Sequence, residues 1–167
     1  MGGGAMDSQK IWKIWLVIIL GMFTFIPVAQ AQTPVDFTEC LAGTSTTVYE
    51  SKEIRIGSTE GKGIIISHHD NKVFDNCTFH VVSIAKVVDG KRTSNSYWKI
   101  QDPDGDVVIA EVLVVGPEKT MTFLHGTGKW KGIKGSAKGK TTAAGKPVVP
   151  GTIQTCSRYI GTFELPK

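Results

Sequence analysis

Glu111 is the residue of this sequence best placed to move a proton. It interrupts an apolar run from Val107 to Val115. In a closed, dry cavity, desolvation would favour its protonated form and make it a general acid or base near neutrality. The plainer reading is an outward rim residue, or a carboxylate paired with Lys86 or Tyr97. Trp98, Tyr97, His80, Phe123 and Trp130 offer apolar surface with polar tips, the chemistry that fixes a small ligand in a cavity. Nothing resembles a Ser/His/Asp or Cys/His nucleophilic pair, so a non-catalytic role is expected and catalysis stays open.

Metal chemistry finds little support in the spacing. His68 and His69 are adjacent and would face opposite sides of a strand, and no H-x-x-x-H pattern exists. Asp102, Asp104 and Asp106 suggest a calcium loop. However, glycine falls at its fourth position rather than its sixth, and Leu113 stands where a bidentate glutamate should be. A turn is the better reading, and neither metal nor cofactor is expected. Gly126-x-Gly128-x-x-x-Gly132 is one residue too long for a dinucleotide fingerprint, and Lys134 occupies the first glycine position of a phosphate loop ending at Gly139-Lys140-Thr141.

Lys129, Lys131, Lys134, Lys138, Lys140 and Lys146 fall within residues 129–146 without one acidic side chain. They make either a solvated strand face or an anion-binding surface for an envelope polymer. No nucleic-acid partner is expected.

The chain is addressed for export. Lys10 and Lys13 precede a thirteen-residue apolar run, Ile14 to Ile26, and then Ala29-Gln30-Ala31. This predicts a signal peptide over residues 1–31, a secreted or periplasmic location, and no stable membrane span after cleavage. Residues 32–167 then form one domain with 17 basic and 14 acidic residues. In an exported protein Cys40, Cys77 and Cys156 predict one disulfide, from Cys40 to either Cys77 or Cys156.

The elements that must position these residues read as β throughout. After a Thr/Ser-rich lead, strands are expected at Glu53 to Ser58 and Gly63 to His68, separated by a turn at Thr59-Glu60-Gly61-Lys62. Cys77 to Val88 and Thr93 to Gln101 flank Asp89-Gly90, a two-residue hairpin signal. Val107 to Val115, Thr120 to His125, Lys129 to Ile133, Ser136 to Thr142 and Thr152 to Leu165 follow. No amphipathic helix interrupts them. Glycines at 126, 128, 132, 135 and 139 favour a closed antiparallel barrel over a sandwich. Both faces of Val107 to Val115 are apolar, which predicts a homo-oligomer, a dimer or trimer, covering the outer face.

One stretch carries a family resemblance. Gly126-Thr127-Gly128-Lys129-Trp130-Lys131-Gly132-Ile133-Lys134-Gly135 resembles the G-T-G-x-aromatic-x-G-x-x-G signature of the allene oxide cyclase and dirigent-like barrels. The resemblance implies an eight-stranded antiparallel barrel with an apolar cavity, often trimeric, and secreted in the dirigent case. It carries over no active-site residue. The sequence therefore predicts an all-β protein, a single antiparallel barrel of roughly eight strands behind a cleavable signal peptide. Its expected role is to bind a small apolar or amphipathic molecule. The alternatives are a cavity isomerase or cyclase using Glu111, or an envelope interaction protein using residues 129–146.

Overall fold

A computed structural model describes residues 31–166, so the expected signal peptide lies outside the described residues except for Ala31. The described residues form eight strands: β1 (Thr33–Glu50), β2 (Ile54–Ser67), β3 (Thr78–Val88), β4 (Lys91–Gln101), β5 (Val107–Val115), β6 (Glu118–Gly126), β7 (Lys134–Ala144) and β8 (Thr152–Glu164). They close into a barrel in sequence order, every neighbour antiparallel, with β1 pairing β8. Closure leaves no free sheet edge.

Side chains alternate across this wall with period two. In β4, Ser94, Ser96, Trp98 and Ile100 are buried while Asn95, Tyr97 and Lys99 are exposed. The hairpin between β3 and β4 turns at Asp89 (φ 48°) and Gly90 (φ 74°), the paired positive φ angles a type I′ turn needs.

Three expectations are corrected. The Thr/Ser-rich lead is the long strand β1, whose Thr44, Ser45, Thr46 and Thr47 pair with β2. Thr59 to Lys62 is no turn but the middle of β2, because Thr59 pairs with Ser45 on one side and Ser83 on the other. Two-sided ladder bonding outweighs local turn chemistry here. Lys129 to Ile133 is not a strand, since Gly128–Trp130 forms a 3-10 turn. Gly128 has φ +48°, and a Cβ there would collide with the Asp106 carboxylate, so the chain bends where the pattern suggested extension.

The barrel is filled at one end only. Around the β2–β3 and β6–β7 loops, Phe74 sits among Phe37, Phe123, Trp130 and Phe163, with ring centroids 4.9 to 6.1 Å away. Phe74 holds a left-handed φ of 61°, rare for a bulky residue, and its burial in this aromatic plug offsets the local strain. Asp75 Oδ1 accepts from the Ser67 N–H at 2.8 Å, which ties the loop to β2.

A carboxylate buckles the same end. The Asp102 side chain is 2 % exposed. Its Oδ1 accepts the Asp104 and Asp106 backbone N–H groups at 2.9 and 3.0 Å. Its Oδ2 accepts Trp130 Nε1 at 2.9 Å and Lys129 Nζ at 2.8 Å. Burial pushes the carboxyl up, but the bonds from Lys129, Trp130 and Asp106 outweigh it and hold the group below its ordinary range. Asp102 thereby fastens the glycine-rich bend to the β4–β5 turn.

Asp102→Ala should therefore cost about 3 to 5 kcal/mol in urea denaturation, because buried donors lose their acceptor. Lys129→Ala, at an exposed ammonium, should cost less than about 1 kcal/mol. Equal effects of the two variants would contradict a carboxylate-centred buckle.

Candidate functional site

Above the aromatic plug the inward positions become small or polar, and a cavity of about 560 Å³ remains. It runs from Trp98 and Tyr159 at its floor to the Gly116-Pro117 turn at its mouth. Leu41, Val81, Val112 and Val114 make its apolar walls. Ser94 and Ser96 replace what would be larger residues on β4. Ser96 Oγ accepts Trp98 Nε1 at 3.1 Å and donates to the Val112 carbonyl at 3.2 Å, which fixes the indole. The indole also stacks on Phe79 at 4.5 Å.

A polar cluster occupies the floor. Glu39 on β1 is 1 % exposed, and Ser157 and Tyr159 on β8 are fully buried. Lys119, half-buried on β6, donates from Nζ to Ser157 Oγ at 2.5 Å. Burial pushes the Glu39 carboxyl up to about 7, against the opposing pull of the Ser157 hydroxyl and the Lys119 ammonium. Burial also lowers the ammonium, which Glu39 counters and Arg92 reinforces. The Tyr159 phenol is raised by burial and then by Glu39. Glu39 Oε2 and the Tyr159 hydroxyl have no hydrogen-bond partner among the described residues. Near neutral pH the floor can therefore offer a carboxylic acid proton and a phenolic proton to an acceptor atom, or take one proton back at Glu39.

The expected site residues divide between the two faces. Trp98 lines the cavity, whereas Phe123 and Trp130 belong to the plug below it. Glu111, Tyr97 and His80 lie on the outer face. On β5 it is Val108, Ala110 and Val112 that point inward, so Glu111 must point out. There its Oε1 accepts from Tyr97 OH at 3.1 Å and Asn95 Nδ2 at 2.9 Å. Of the two positions open to Glu111 in the sequence, the structure therefore shows the outer face, paired with Tyr97, and not the cavity. His80 Nε2 contacts Glu60 Oε1 at 2.8 Å.

Glu39 is the residue that the sequence reading passed over. Val35, Phe37, Glu39 and Leu41 alternate along one face of β1, and that alternation was the available signal. The lysines are not brought together as one surface. Lys129 is held by Asp102 and Asp104 at the plugged end, Lys138 donates to Thr120 Oγ1 on the outer wall, and Lys140 lies on that same wall opposite Arg158. Lys131 and Lys134 are exposed near the plugged end. Among the described residues, no group of three or more His, Cys, Asp or Glu side chains could hold a metal ion.

Cys40 and Cys156 form the disulfide, facing each other across β1 and β8 with Cα atoms 4.1 Å apart. Cys77 is free and buried, and burial pushes its thiol up to about 12. The bridge spans 116 residues of sequence and joins the first strand to the last, a closure worth about 3 to 5 kcal/mol in the chain-entropy account.

No known protein family matches the sequence, and no curated protein does. Solved structures do. A pterocarpan synthase dirigent protein, GePTS1, aligns over 86 % of this chain and 97 % of its own at 13 % identity, with a TM-score of 0.51. The fold is a dirigent-like barrel. A second such protein, PsPTS1, aligns over 82 % of this chain and 97 % of its own at 12 % identity, with a TM-score of 0.49. At these identities the likeness concerns architecture alone. The dirigent part of the resemblance read from residues 126–135 therefore holds at the level of fold.

The raised Glu39 carboxyl has a thermodynamic consequence. The folded state binds this proton more tightly than the unfolded chain, so the contribution is full below about 4.5 and is lost as pH rises through about 7. Stability measured by urea denaturation should fall across that window by on the order of 3 kcal/mol from this group, given its rise from 4.5 to about 7. Glu39→Gln should remove that fall. A Glu39→Gln profile parallel to the wild type between pH 4.5 and 7 would contradict a buried, desolvated carboxyl.

Proposed function

We propose that this is an exported barrel protein that binds a small amphipathic molecule in its cavity. The observation that carries the proposal is the pairing of an apolar-walled cavity with two buried polar groups at its floor, Glu39 Oε2 and the Tyr159 hydroxyl, that have no partner among the described residues. Buried polar groups cost stability unless they find partners, so their retention favours a ligand that supplies them. Its volume lies inside the range of roughly 300 to 1,000 Å³ typical of small-molecule sites. Export accords with the disulfide, since such bonds persist in oxidising compartments.

The test is binding of the uncharged dye N-phenyl-1-naphthylamine, read by energy transfer from tryptophan. Wild-type protein should bind it, and Val112→Phe, which fills the cavity without adding polarity, should weaken binding by about tenfold or more. Unchanged affinity in a folded Val112→Phe variant would overturn the cavity as the site.

A cavity isomerase or cyclase is the second reading. Glu39, rather than Glu111, favours it, because its carboxyl is poised near neutrality beside the Tyr159 phenol. A Glu39→Gln variant that keeps ligand affinity but stops conversion of the bound molecule would select this reading.

Self-association is proposed for the outer wall. Val82, Ile84, Tyr97, Leu113 and Val115 are exposed on neighbouring strands β3 to β5. This apolar face supports packing against a second copy of the chain. Sedimentation velocity should show an oligomer that Leu113→Lys weakens, whereas a monomeric wild type would refute it.

A further inference from the structure

The cavity mouth is unbalanced in charge. Arg55 and Arg92 border the cavity at its mouth, Lys119 reaches from the wall to Ser157, and among the described residues Glu39, at the floor, is the cavity's one carboxylate. Arg55 has a distant partner in Glu50 at 4.0 Å and donates to Thr47 Oγ1 at 3.3 Å. Lys119 meets the neutral hydroxyl of Ser157. The side chain of Arg92 has no hydrogen bond or ion pair among the described residues. Arg92 is close enough to Lys119 for the two cations to repel each other.

Like charges gathered at the opening of an apolar-walled cavity raise its potential, because low-dielectric walls focus the field. An anion beside Arg92 would relieve its repulsion with Lys119 and accept the donors that Arg55 and Arg92 present. Below it, Leu41, Val81, Val114 and the Trp98 ring would cover an apolar body. The Glu39 carboxyl and the Tyr159 hydroxyl would then meet a polar atom at the far end.

Resting on the cavity-binding proposal above, we infer that the ligand is an amphipathic anion. Its carboxylate, sulfonate or phosphate group sits at the mouth between Arg55 and Arg92, which flank Val87 on neighbouring strands, and its apolar body points inward. The direction of entry follows: head outward, tail toward Trp98.

A matched pair of dyes tests this. 8-Anilinonaphthalene-1-sulfonate carries the rings of N-phenyl-1-naphthylamine and adds one sulfonate. Titrated into the disulfide-bonded mature protein and read by tryptophan energy transfer, the sulfonate should bind about tenfold more tightly than the neutral dye. The double variant Arg55→Gln with Arg92→Gln should erase that advantage, lowering sulfonate affinity about tenfold relative to that of the neutral dye in the same variant. Both substitutions lie at exposed positions, so circular dichroism should match the wild type. Raising salt to roughly 0.5 M should narrow the gap in the wild type, as screening requires. Equal affinities in the wild type, or a full sulfonate advantage in the double variant, would overturn the inference while leaving the cavity as a binding site. Failure of both dyes to bind would remove the cavity-binding proposal and this inference together.

Discussion

Closing eight strands into a barrel forces every second residue inside, and what those residues are decides whether the interior is solid or hollow. Eight strands leave a lumen that side chains can just fill. Here the filling changes along the axis. Phe37, Phe74, Phe123, Trp130 and Phe163 close one end, while Ser83, Ala85, Ser94, Ser96 and Gly57 face the cavity toward the other. Large aromatic rings make one half a core, and small residues at equivalent inward positions make the other half a container. The closed half supplies the apolar burial that holds the sheet, and the open half is free to be polar because stability does not depend on packing there.

The closed end also explains the chemistry of the glycine-rich stretch. The lysines of residues 129–146 leave an anion-binding surface open in the sequence, and Lys129 falls within the glycine-rich stretch. In the folded chain the bend is structural, because Asp102 holds Trp130 Nε1 and Lys129 Nζ while Asp106 Oδ2 takes the Lys129 N–H at 3.0 Å. A charge-rich motif has thus been absorbed into the end of the barrel.

Most of the architecture was legible because hairpin signals are local. Asp89-Gly90 and Pro103-Asp104-Gly105 each carry their own turn chemistry, and the elements on either side follow by alternation. β5 was read with its boundaries intact, Val107 to Val115. What a single strand cannot reveal is which of two apolar faces points inward, so both positions stayed open for Glu111 until the register put Val112 inside. The strand β1 was obscured for a different reason. Its Thr/Ser-rich second half resembles a loop, and its extended form depends on pairing with β2 and β8, a nonlocal fact. Losing β1 as a strand meant losing Glu39. Phe74 was equally hidden, since a left-handed phenylalanine in a loop becomes explicable only once the barrel end it fills exists.

The container half brings together groups that a purely structural core would avoid: a buried carboxyl, a buried phenol, a half-buried ammonium and a fixed indole around one space. Each would cost stability in isolation, and jointly they suit a ligand with polar atoms at its ends and an apolar middle. The most direct measurement is native mass spectrometry, under non-reducing conditions, of mature protein recovered from an export-competent host. A barrel that carries the extra mass of a small amphipathic molecule, released on unfolding, is the result this account predicts. A bare barrel with its disulfide formed, which also takes up no amphipathic molecule when offered a mixture of them, would contradict it.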